Sequence, residues 1–367
     1  MSAPERGFHS TAGGVNLREG DASDTTHLLH IMLVLQGAHS QGSGILGFLS
    51  TIDATPARAA CKELRDGVAD FRWTSMDNIR GSLRQWRACF PRAIAANVDE
   101  RRDLVDADFV FLRGIHELSM GCCDQEGITD AAFVHLRGIH TLYMRGCCQE
   151  GITDGAFVHL RGIDTLDMGG CRQAGITDAA FFYLSGIQTL TMMFCDQAGI
   201  TDAAFAHLRG IQTLCMDGCN QGGITDAAFA HLRGIHTLDM SYCNQQGITD
   251  AAFVHLRGIH TLLMPHCNQV GITDAAFAHL RGIHTLHMSG CKQPGITDAA
   301  FQHLSGIKAF AMSGCDQDSI TGVGLIAHLC GIRLLIIYDC SQPGVLAAGL
   351  AISETGALVI PRPVAVA

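Results

Sequence analysis

The stretch GITDAAFAHLRGIHTLDMSYCNQQ, residues 223–246, recurs with small changes along most of this chain. Its Ile-Thr-Asp step returns every 24 residues, with copies that start at Ile128, Ile152, Ile176, Ile200, Ile224, Ile248, Ile272 and Ile296. A weaker copy, Ile-Thr-Gly, follows at residues 320–322, and Leu-Val-Asp at residues 104–106 lies one period upstream. Self-similarity at a fixed period of this size predicts a solenoid of stacked units.

The first half of each unit predicts a short helix. Thr225 and Asp226 place a hydroxyl and a carboxylate where the free N–H groups at a helix start need acceptors. Gly234 suits the left-handed residue that ends many helices. We therefore predict a helix of about two turns over residues 226–233.

The second half predicts a strand. Residues 236–241 alternate between outward and inward positions, with Leu238 and Met240 buried. Neither the helix nor the strand can bury its apolar face alone, whereas stacked copies can.

Written as a pattern, the unit is L-x-x-I-x-x-L-x-M-x-x-C-x-x-x-x-I-T-D-x-x-F-x-x-L. This pattern resembles the leucine-rich repeat, and specifically the cysteine-containing subclass found in F-box/leucine-rich-repeat proteins. The resemblance covers about ten units between Leu104 and Val345. It implies an α/β, right-handed solenoid with a parallel β-sheet on the concave face and short helices on the convex face. The units are shorter than is usual in that subclass, so we expect clipped helices.

Composition limits the classes of partner. The 367 residues include 25 Lys and Arg against 35 Asp and Glu, a formal net charge of −10, which argues against a nucleic-acid partner held through its phosphates. The apolar run at residues 28–35 is too short to span a membrane, and no N-terminal segment has the pattern of a signal peptide. We expect a cytoplasmic or nuclear monomer.

Cysteine usage supports that compartment. Ten of the 16 cysteines occupy one position of the repeat: Cys123, Cys147, Cys171, Cys195, Cys219, Cys243, Cys267, Cys291, Cys315 and Cys340. In leucine-rich repeats this position turns inward at the end of the strand and its side chain bonds to loop backbone. A column of buried free thiols favours a reducing compartment.

The region ahead of the repeats contains a second pattern. Residues 45–68, ILGFLSTIDATPARAACKELRDGV, combine an apolar end, a Ser-Thr-Ile-Asp turn and a helix. They resemble the second part of an F-box, which docks the Skp-type adaptor of a cullin-RING ubiquitin ligase. The resemblance implies docking through Ile45, Phe48, Leu49, Pro56, Cys61 and Leu64.

This second pattern departs from the F-box in one respect. An F-box normally opens with Leu-Pro and an uninterrupted helix, whereas Gly37, Gly42 and Gly44 interrupt that region here. The alternative is a helical cap that packs on the first repeat.

The chain therefore divides into five regions. They are a disordered N-terminus (1–26), an F-box-like helical region (27–72), an N-terminal cap (73–103), the repeats (104–345), and a C-terminal cap with its tail (346–367). Within the N-terminal cap, Leu83, Trp86 and Phe90 have helical spacing and Pro91 ends that helix. Residues 94–97 resemble the strand end of a degenerate unit, with Asn97 where later units carry Cys.

Comparing the copies with one another locates a candidate binding surface. Helix positions barely change, while the outward strand positions vary from unit to unit. Variation confined to one face predicts recognition of a partner, and neutral drift at exposed positions is the alternative. The predicted concave-face residues are Tyr143, Arg145, Asp164, Asp167, Thr191, Met193, Phe194, Asp217, Asp239, Tyr242, Leu263, His266 and His287.

Four aspartates beside apolar and aromatic side chains predict a protein partner with Lys or Arg next to apolar groups; the alternative is that these aspartates only keep the sheet soluble. Convergence of His260, His266, His284 and His287 on a metal is a weaker alternative, because the short local ligand spacing typical of structural zinc sites is absent. No cofactor and no catalytic motif is indicated. We therefore predict an F-box substrate receptor of a ubiquitin ligase, or alternatively a free-standing interaction scaffold.

Overall fold

A computed structural model describes residue 49, residues 51–60 and residues 62–360. The chain divides into two compact units, residues 1–71 and residues 72–367. In the first, helices α1 (Thr51–Ala60) and α2 (Lys62–Asp70) pack against each other. The predicted Ser-Thr-Ile-Asp turn is wrong from Thr51 onwards, because these residues already belong to α1.

The second unit is one parallel sheet of twelve strands in chain order. The strands are β1 (Ala95–Asn97), β2 (Glu117–Ser119), β3 (Thr141–Tyr143), β4 (Thr165–Asp167), β5 (Thr189–Thr191), β6 (Thr213–Cys215), β7 (Thr237–Asp239), β8 (Thr261–Leu263), β9 (Thr285–His287), β10 (Ala309–Ala311), β11 (Leu334–Ile336) and β12 (Leu358–Ile360). The predicted leucine-rich-repeat solenoid is confirmed. Strand β12, which follows the last unit recognised in the sequence, adds a twelfth strand.

Helical segments connect the strands. The α-helices are α3 (Leu83–Cys89), α4 (Asp130–Phe133), α5 (Asp154–Phe157), α6 (Asp178–Phe181), α7 (Asp202–Phe205), α8 (Asp226–Phe229), α9 (Asp250–Phe253), α10 (Asp274–Phe277), α11 (Val323–His328) and α12 (Pro343–Ser353). Turns of 3-10 helix span Asp106–Leu112, Val134–Leu136, Phe182–Leu184, Val254–Leu256 and Asp298–His303. The helix predicted over residues 226–233 is therefore half as long as expected, because the chain turns back to the sheet within one turn.

The capping residues act partly within a unit and partly between units. The Thr225 hydroxyl accepts from the Ala227 N–H and so caps α8, as predicted. The Asp226 carboxylate does not cap its own helix. Its two oxygens accept from the backbone N–H and the hydroxyl of Thr249 in the next unit, at 2.7 and 2.6 Å. The same pair recurs from Asp106–Thr129 to Asp298–Thr321.

The repeated cysteines join neighbouring units from inside the stack. The Cys219 thiol donates to the carbonyl of Met192, the first residue after strand β5, at 2.8 Å, and Cys243 repeats this contact with Met216. Burial raises the pKa of the Cys195 and Cys291 thiols to about 12, so both remain protonated. The predicted inward position and the bond to loop backbone are confirmed.

A glutamine two residues after each of these cysteines, buried in all units but the first and the last of the column, adds a third kind of inter-unit bond. The Gln245 side-chain amide donates to the carbonyl of Cys219 at 2.7 Å, and Gln269 does the same to Cys243. The glutamine recurs in the sequence as C-x-Q, but an amide that is normally exposed gave no indication that it would be buried.

The N-terminal cap forms around Trp73, which is 1% exposed and meets Phe90 edge to face at 5.4 Å. Helix α3 contains Leu83 and Trp86 and ends before Pro91, as predicted. The assignment of Asn97 to the cysteine column is wrong. Asn97 pairs with Ser119 as the last residue of β1 and so points outward, whereas the cysteine of a later unit lies four residues beyond that position, as Cys123 does after Ser119.

Candidate functional site

The predicted site residues lie in four rows that cross the sheet. We call the last residue of each strand the central row; it includes Tyr143, Asp167, Thr191, Cys215, Asp239, Leu263, His287, Ala311 and Ile336, which pair in register from strand to strand. The leading row consists of the residue immediately before each strand. The turn row consists of the third residue after the end of each strand.

These rows separate the predicted residues. The central row contains Tyr143, Asp167, Thr191, Asp239, Leu263 and His287, all half-buried. Arg145, Met193 and Asp217, two residues beyond the central row, point to the same side because side chains alternate along an extended chain. We call these two sets together the sheet face. Asp164 belongs to the leading row, at the N-terminal ends of the strands. Phe194, Tyr242 and His266 belong to the turn row, beyond the C-terminal ends of the strands. The predicted residues therefore form a band that extends over the full length of the strands.

The acidic part of the sheet face is electrostatically coupled. Burial and the neighbouring charge of Asp239 raise the pKa of the Asp217 carboxyl, and the Arg145 guanidinium partly offsets this. Oxygen Oδ1 of Asp217 is buried and lacks a hydrogen-bond partner among the residues that the structure describes. Since a half-buried carboxylate without a partner is costly, this position favours an incoming cation or hydrogen-bond donor.

The two aspartates of the central row, Asp167 and Asp239, have a structural role as well. Asp167 accepts from the Gly169 N–H at 2.9 Å, and Asp239 accepts from the Ser241 N–H at 3.0 Å. Each therefore holds the bend that follows its own strand. Their presence alone does not distinguish a binding surface from a locally stabilised turn, so Asp217 is the more informative of the three.

Cys215 belongs to this group, although it was not among the predicted site residues. Its thiol lies 3.7 Å from Oδ2 of Asp239, and burial raises its pKa to about 11. It stays protonated and contributes a weak donor to the acidic cluster.

The turn row has the same left-handed backbone in every unit from β1 to β11. Gly146, Gly170, Gly218, Gly290 and Gly314 adopt positive φ angles there, and glycine tolerates this conformation. Phe194, Tyr242 and His266 adopt it with φ of 53–56°. Aromatic residues rarely do so, and such outliers cost of order 1–3 kcal/mol each. The column of glycines in the sequence was the signal for this strain, and it was missed.

These strained aromatic residues are exposed and ordered by their neighbours. Phe194 and Tyr242 are 43% and 48% exposed. Phe194 covers Gly218, where an added Cβ would meet its ring at 2.3 Å. The rings of Tyr242 and His266 stack at 4.6 Å. The Asn244 amide donates to the Tyr242 carbonyl and thereby holds the turn.

The four histidines proposed to converge do not. His260 and His284 stack at 4.2 Å in the leading row, at the N-terminal ends of the strands. His266 lies in the turn row, beyond the C-terminal ends, and His287 lies in the central row between these two rows. Across the described part of the chain, no three His, Cys, Asp or Glu side chains are grouped so that they could hold a metal ion. The suggested convergence was wrong because it ignored where along each unit these residues fall.

Histidines on the helices have a separate, structural explanation. Nε of Arg233 donates to Nδ1 of His255 in the next unit at 3.2 Å, and the same contact joins Arg137 to His159. Exposed residues of the convex side are thus also tied between units, which gives a structural reason for part of their uniformity. Exposed Ala227 and its copies make no such side-chain hydrogen bond, so recent duplication of the repeat is the explanation for their uniformity.

Of the predicted adaptor-docking residues, Ile45, Phe48 and Cys61 lie outside the described part of the chain. Leu49 is half-buried, two residues before α1. Pro56 lies within α1 and Leu64 within α2, and only their backbone is described.

Solved structures with a similar fold are leucine-rich-repeat proteins. The Toll protein in the Drosophila Toll–Spatzle complex has a TM-score of 0.59 at 14% identity, over 80% of this chain and 39% of that chain. A TLR13–ssRNA13 complex gives 0.56 at 15%, over 75% and 41%. An internalin from Listeria monocytogenes gives 0.54 at 13%, over 85% and 87%.

The chain thus spans about two fifths of the first two of these proteins. No family model matches it, and no curated protein matches it either. None of the helices within the described residues has the length and apolar character needed to cross a bilayer. At these identities the comparisons establish the fold alone, which is a leucine-rich-repeat solenoid.

Proposed function

We propose that this chain is an interaction scaffold that binds another protein through the sheet face and the turn row beside it. One observation carries the proposal. The repeated side chains are committed to bonds between units, such as Asp226 to Thr249, whereas the residues that differ from unit to unit are gathered on one side. Phe194 and Tyr242 are held there, exposed, in a costly backbone conformation.

The chemistry of this side favours a partner that presents Lys or Arg together with apolar groups. Asp217 lacks a partner for one buried oxygen among the described residues, and its neighbour Asp239 carries a like charge. A cationic group placed between them would supply the missing donor and relieve that repulsion. The exposed rings of Phe194 and Tyr242 provide the anchors that protein interfaces favour.

A charge-removal experiment tests this surface. A binding partner would first be identified by proximity labelling and then purified. Asp217→Asn with Asp239→Asn should weaken its affinity and flatten the salt dependence of binding, because two opposing charges are lost. Glu150→Gln, a change at an exposed carboxylate in the loop after the turn, is the matched control. Unchanged affinity in the double variant contradicts the proposed surface.

The finer form of this proposal is a substrate receptor of a ubiquitin ligase in the cytoplasm or nucleus. Its support is the F-box-like pattern of residues 45–68, together with helices α1 and α2 in that part of the chain. The chain would then bring its target close to the ligase and raise its effective concentration there. The alternative is a free-standing scaffold, in which the N-terminal region has no partner of its own.

Co-precipitation with a Skp-type adaptor separates these two forms. Leu49→Asp should abolish capture of the adaptor, because a charge replaces a docking side chain. Val270→Asp, a change at a 67% exposed loop residue of the repeats, should leave capture intact. Failure of the unaltered chain to capture the adaptor would favour the free-standing scaffold and leave the sheet-face proposal standing.

A further inference from the structure

A shallow apolar pocket lies on the sheet face over strands β9, β10 and β11. Its volume is about 160 Å³, and it opens to solvent between Leu263 on one side and Leu334 with Ile336 on the other. A volume of this size is well below the several hundred Å³ of a site for a small-molecule ligand. It is suited to a single apolar side chain.

The pocket exists because strand β10 carries two small side chains on the sheet face. The first strand residue is Thr in every unit from β3 to β9, but Ala309 in β10. The central row carries Ala311 at the same strand, where neighbouring strands carry His287 and Ile336. Two small side chains in register between larger ones leave a depression, which a perfectly copied unit would have filled.

The neighbouring strands supply apolar walls. Leu334 replaces the usual Thr at the start of β11 and pairs with Ala309. Leu263 and Ile336 are half-buried and present branched side chains on the sheet face. Burial lowers the pKa of His287, which keeps its ring neutral at neutral pH and compatible with an apolar guest. The pocket therefore offers apolar surface that only a partner would remove from water.

The central-row acidic residue nearest to the pocket determines how far from the bound apolar side chain a basic group of the same partner would lie. Asp239 lies on β7, three strands before Ala311 on β10. Parallel strands are about 4.8 Å apart, so the separation across the sheet is about 14 Å. An extended peptide advances about 3.3 Å per residue and covers this distance in roughly four residues.

We propose that the pocket over β10 accepts one branched or aromatic side chain of an extended protein segment, whose Lys or Arg roughly four residues away reaches Asp239 and Asp217. The inference rests on the proposed function, because it assigns a specific part of the sheet face to the apolar component of the partner. It adds the location, the size and the spacing of the two contacts.

A peptide selection on the full chain tests this inference. A random 12-residue phage library would be panned on the unaltered protein and, in parallel, on Ala311→Phe, which fills the pocket from its base without altering an inward side chain. Ser119→Phe, in the same row near the other end of the sheet, is the matched control. Equal melting temperatures would show that the variants are folded.

The expected result is enrichment of peptides with a Leu, Ile, Phe or Trp three to five positions from Lys or Arg. Measured by fluorescence polarisation, such a peptide should bind Ala311→Phe about 10- to 100-fold more weakly, the factor for one lost apolar side chain. Ser119→Phe should bind it normally.

Two results would overturn the inference, and they differ in what they imply. In the first, the enriched peptides contain only basic residues, bind Ala311→Phe as tightly as the unaltered chain, and no longer bind the variant with Asp217→Asn and Asp239→Asn. This result would contradict the role of the pocket but leave the sheet-face proposal standing. Absence of enrichment, or peptides that are indifferent to all of these changes, would remove both.

Discussion

The helical side of the repeats and the sheet face obey different constraints. On the helical side, a residue such as Asp226 must meet Thr249 in the next copy, so a change there disrupts two units at once. On the sheet face, side chains such as Tyr143 and Leu263 point away from the stack. Apart from exposed Ala227 and its copies, residues are therefore uniform where their side chains pack against or bond to a neighbouring copy and variable on the sheet face, and this contrast identifies the surface available for recognition.

The largest effect is expected from the buried phenylalanine of the helical side. Phe229 is fully buried, and Phe229→Ala leaves a cavity that the tightly stacked neighbours cannot fill. We expect a loss of about 3–5 kcal/mol in the free energy of unfolding, measured by urea denaturation. Val254→Ala, at a 41% exposed position, should change it by less than about 0.5 kcal/mol. Similar losses in both variants would contradict the assigned packing.

A smaller effect is expected from the bond between units. Asp226→Ala removes the acceptors of the Thr249 N–H and hydroxyl. Hydrogen bonds to a charged group contribute about 1.5–3 kcal/mol, and the loss should fall in this range. Asp164→Asn provides the comparison, because this carboxylate is 58% exposed and lies 3.1 Å from the exposed ring of His140. The contrast between the two sides fails if Asp164→Asn costs as much as Asp226→Ala.

Much of this architecture was predictable because repetition multiplied weak local signals. The register of the strands, the inward Leu-x-Met residues and the cysteine column follow from a period that one unit alone could not establish. The inter-unit role of Asp226 was not predictable, since a helix cap and a bond to the next copy require the same residue type. The pocket over β10 was also missed, because Ala309 and Ala311 are informative only when the side chains beside them in space are known.

Substitutions in the turn row measure the backbone strain at its aromatic residues. Tyr242 has a φ of 54°, so Tyr242→Gly should relieve backbone strain that Tyr242→Ala retains. We expect the glycine variant to be about 1 kcal/mol more stable than the alanine variant, measured by urea denaturation. Both variants lose the stack with His266, so this loss cancels in the comparison. An alanine variant that equals the glycine variant would show that the turn is not strained.

The smallest effect concerns pH and the bonds between Arg and His on the convex side. Burial, followed by the charge of Arg233, lowers the pKa of His255, and His159 and His303 are lowered in the same way by their own arginines. An unfolded histidine has a pKa of about 6.5 and binds more protons just below that pH than the folded one does. The contribution of these histidines to the free energy of unfolding is therefore complete above pH 6.5, and it is lost as the pH falls through their lowered pKa in the folded state.

The melting temperature should accordingly be lower at pH 5.5 than at pH 7.5. Because these histidines are partly exposed, solvent screening keeps the shift in melting temperature small. Replacing all three histidines with Gln supplies an amide oxygen that still accepts from Arg at either pH. The pH dependence of the melting temperature should then decrease, while sheet-face binding stays intact, because the changes lie on the opposite side of every unit. A triple variant with the same pH dependence as the unaltered chain would place the titrating groups elsewhere, and the stacked His260 and His284 would be the next pair to replace.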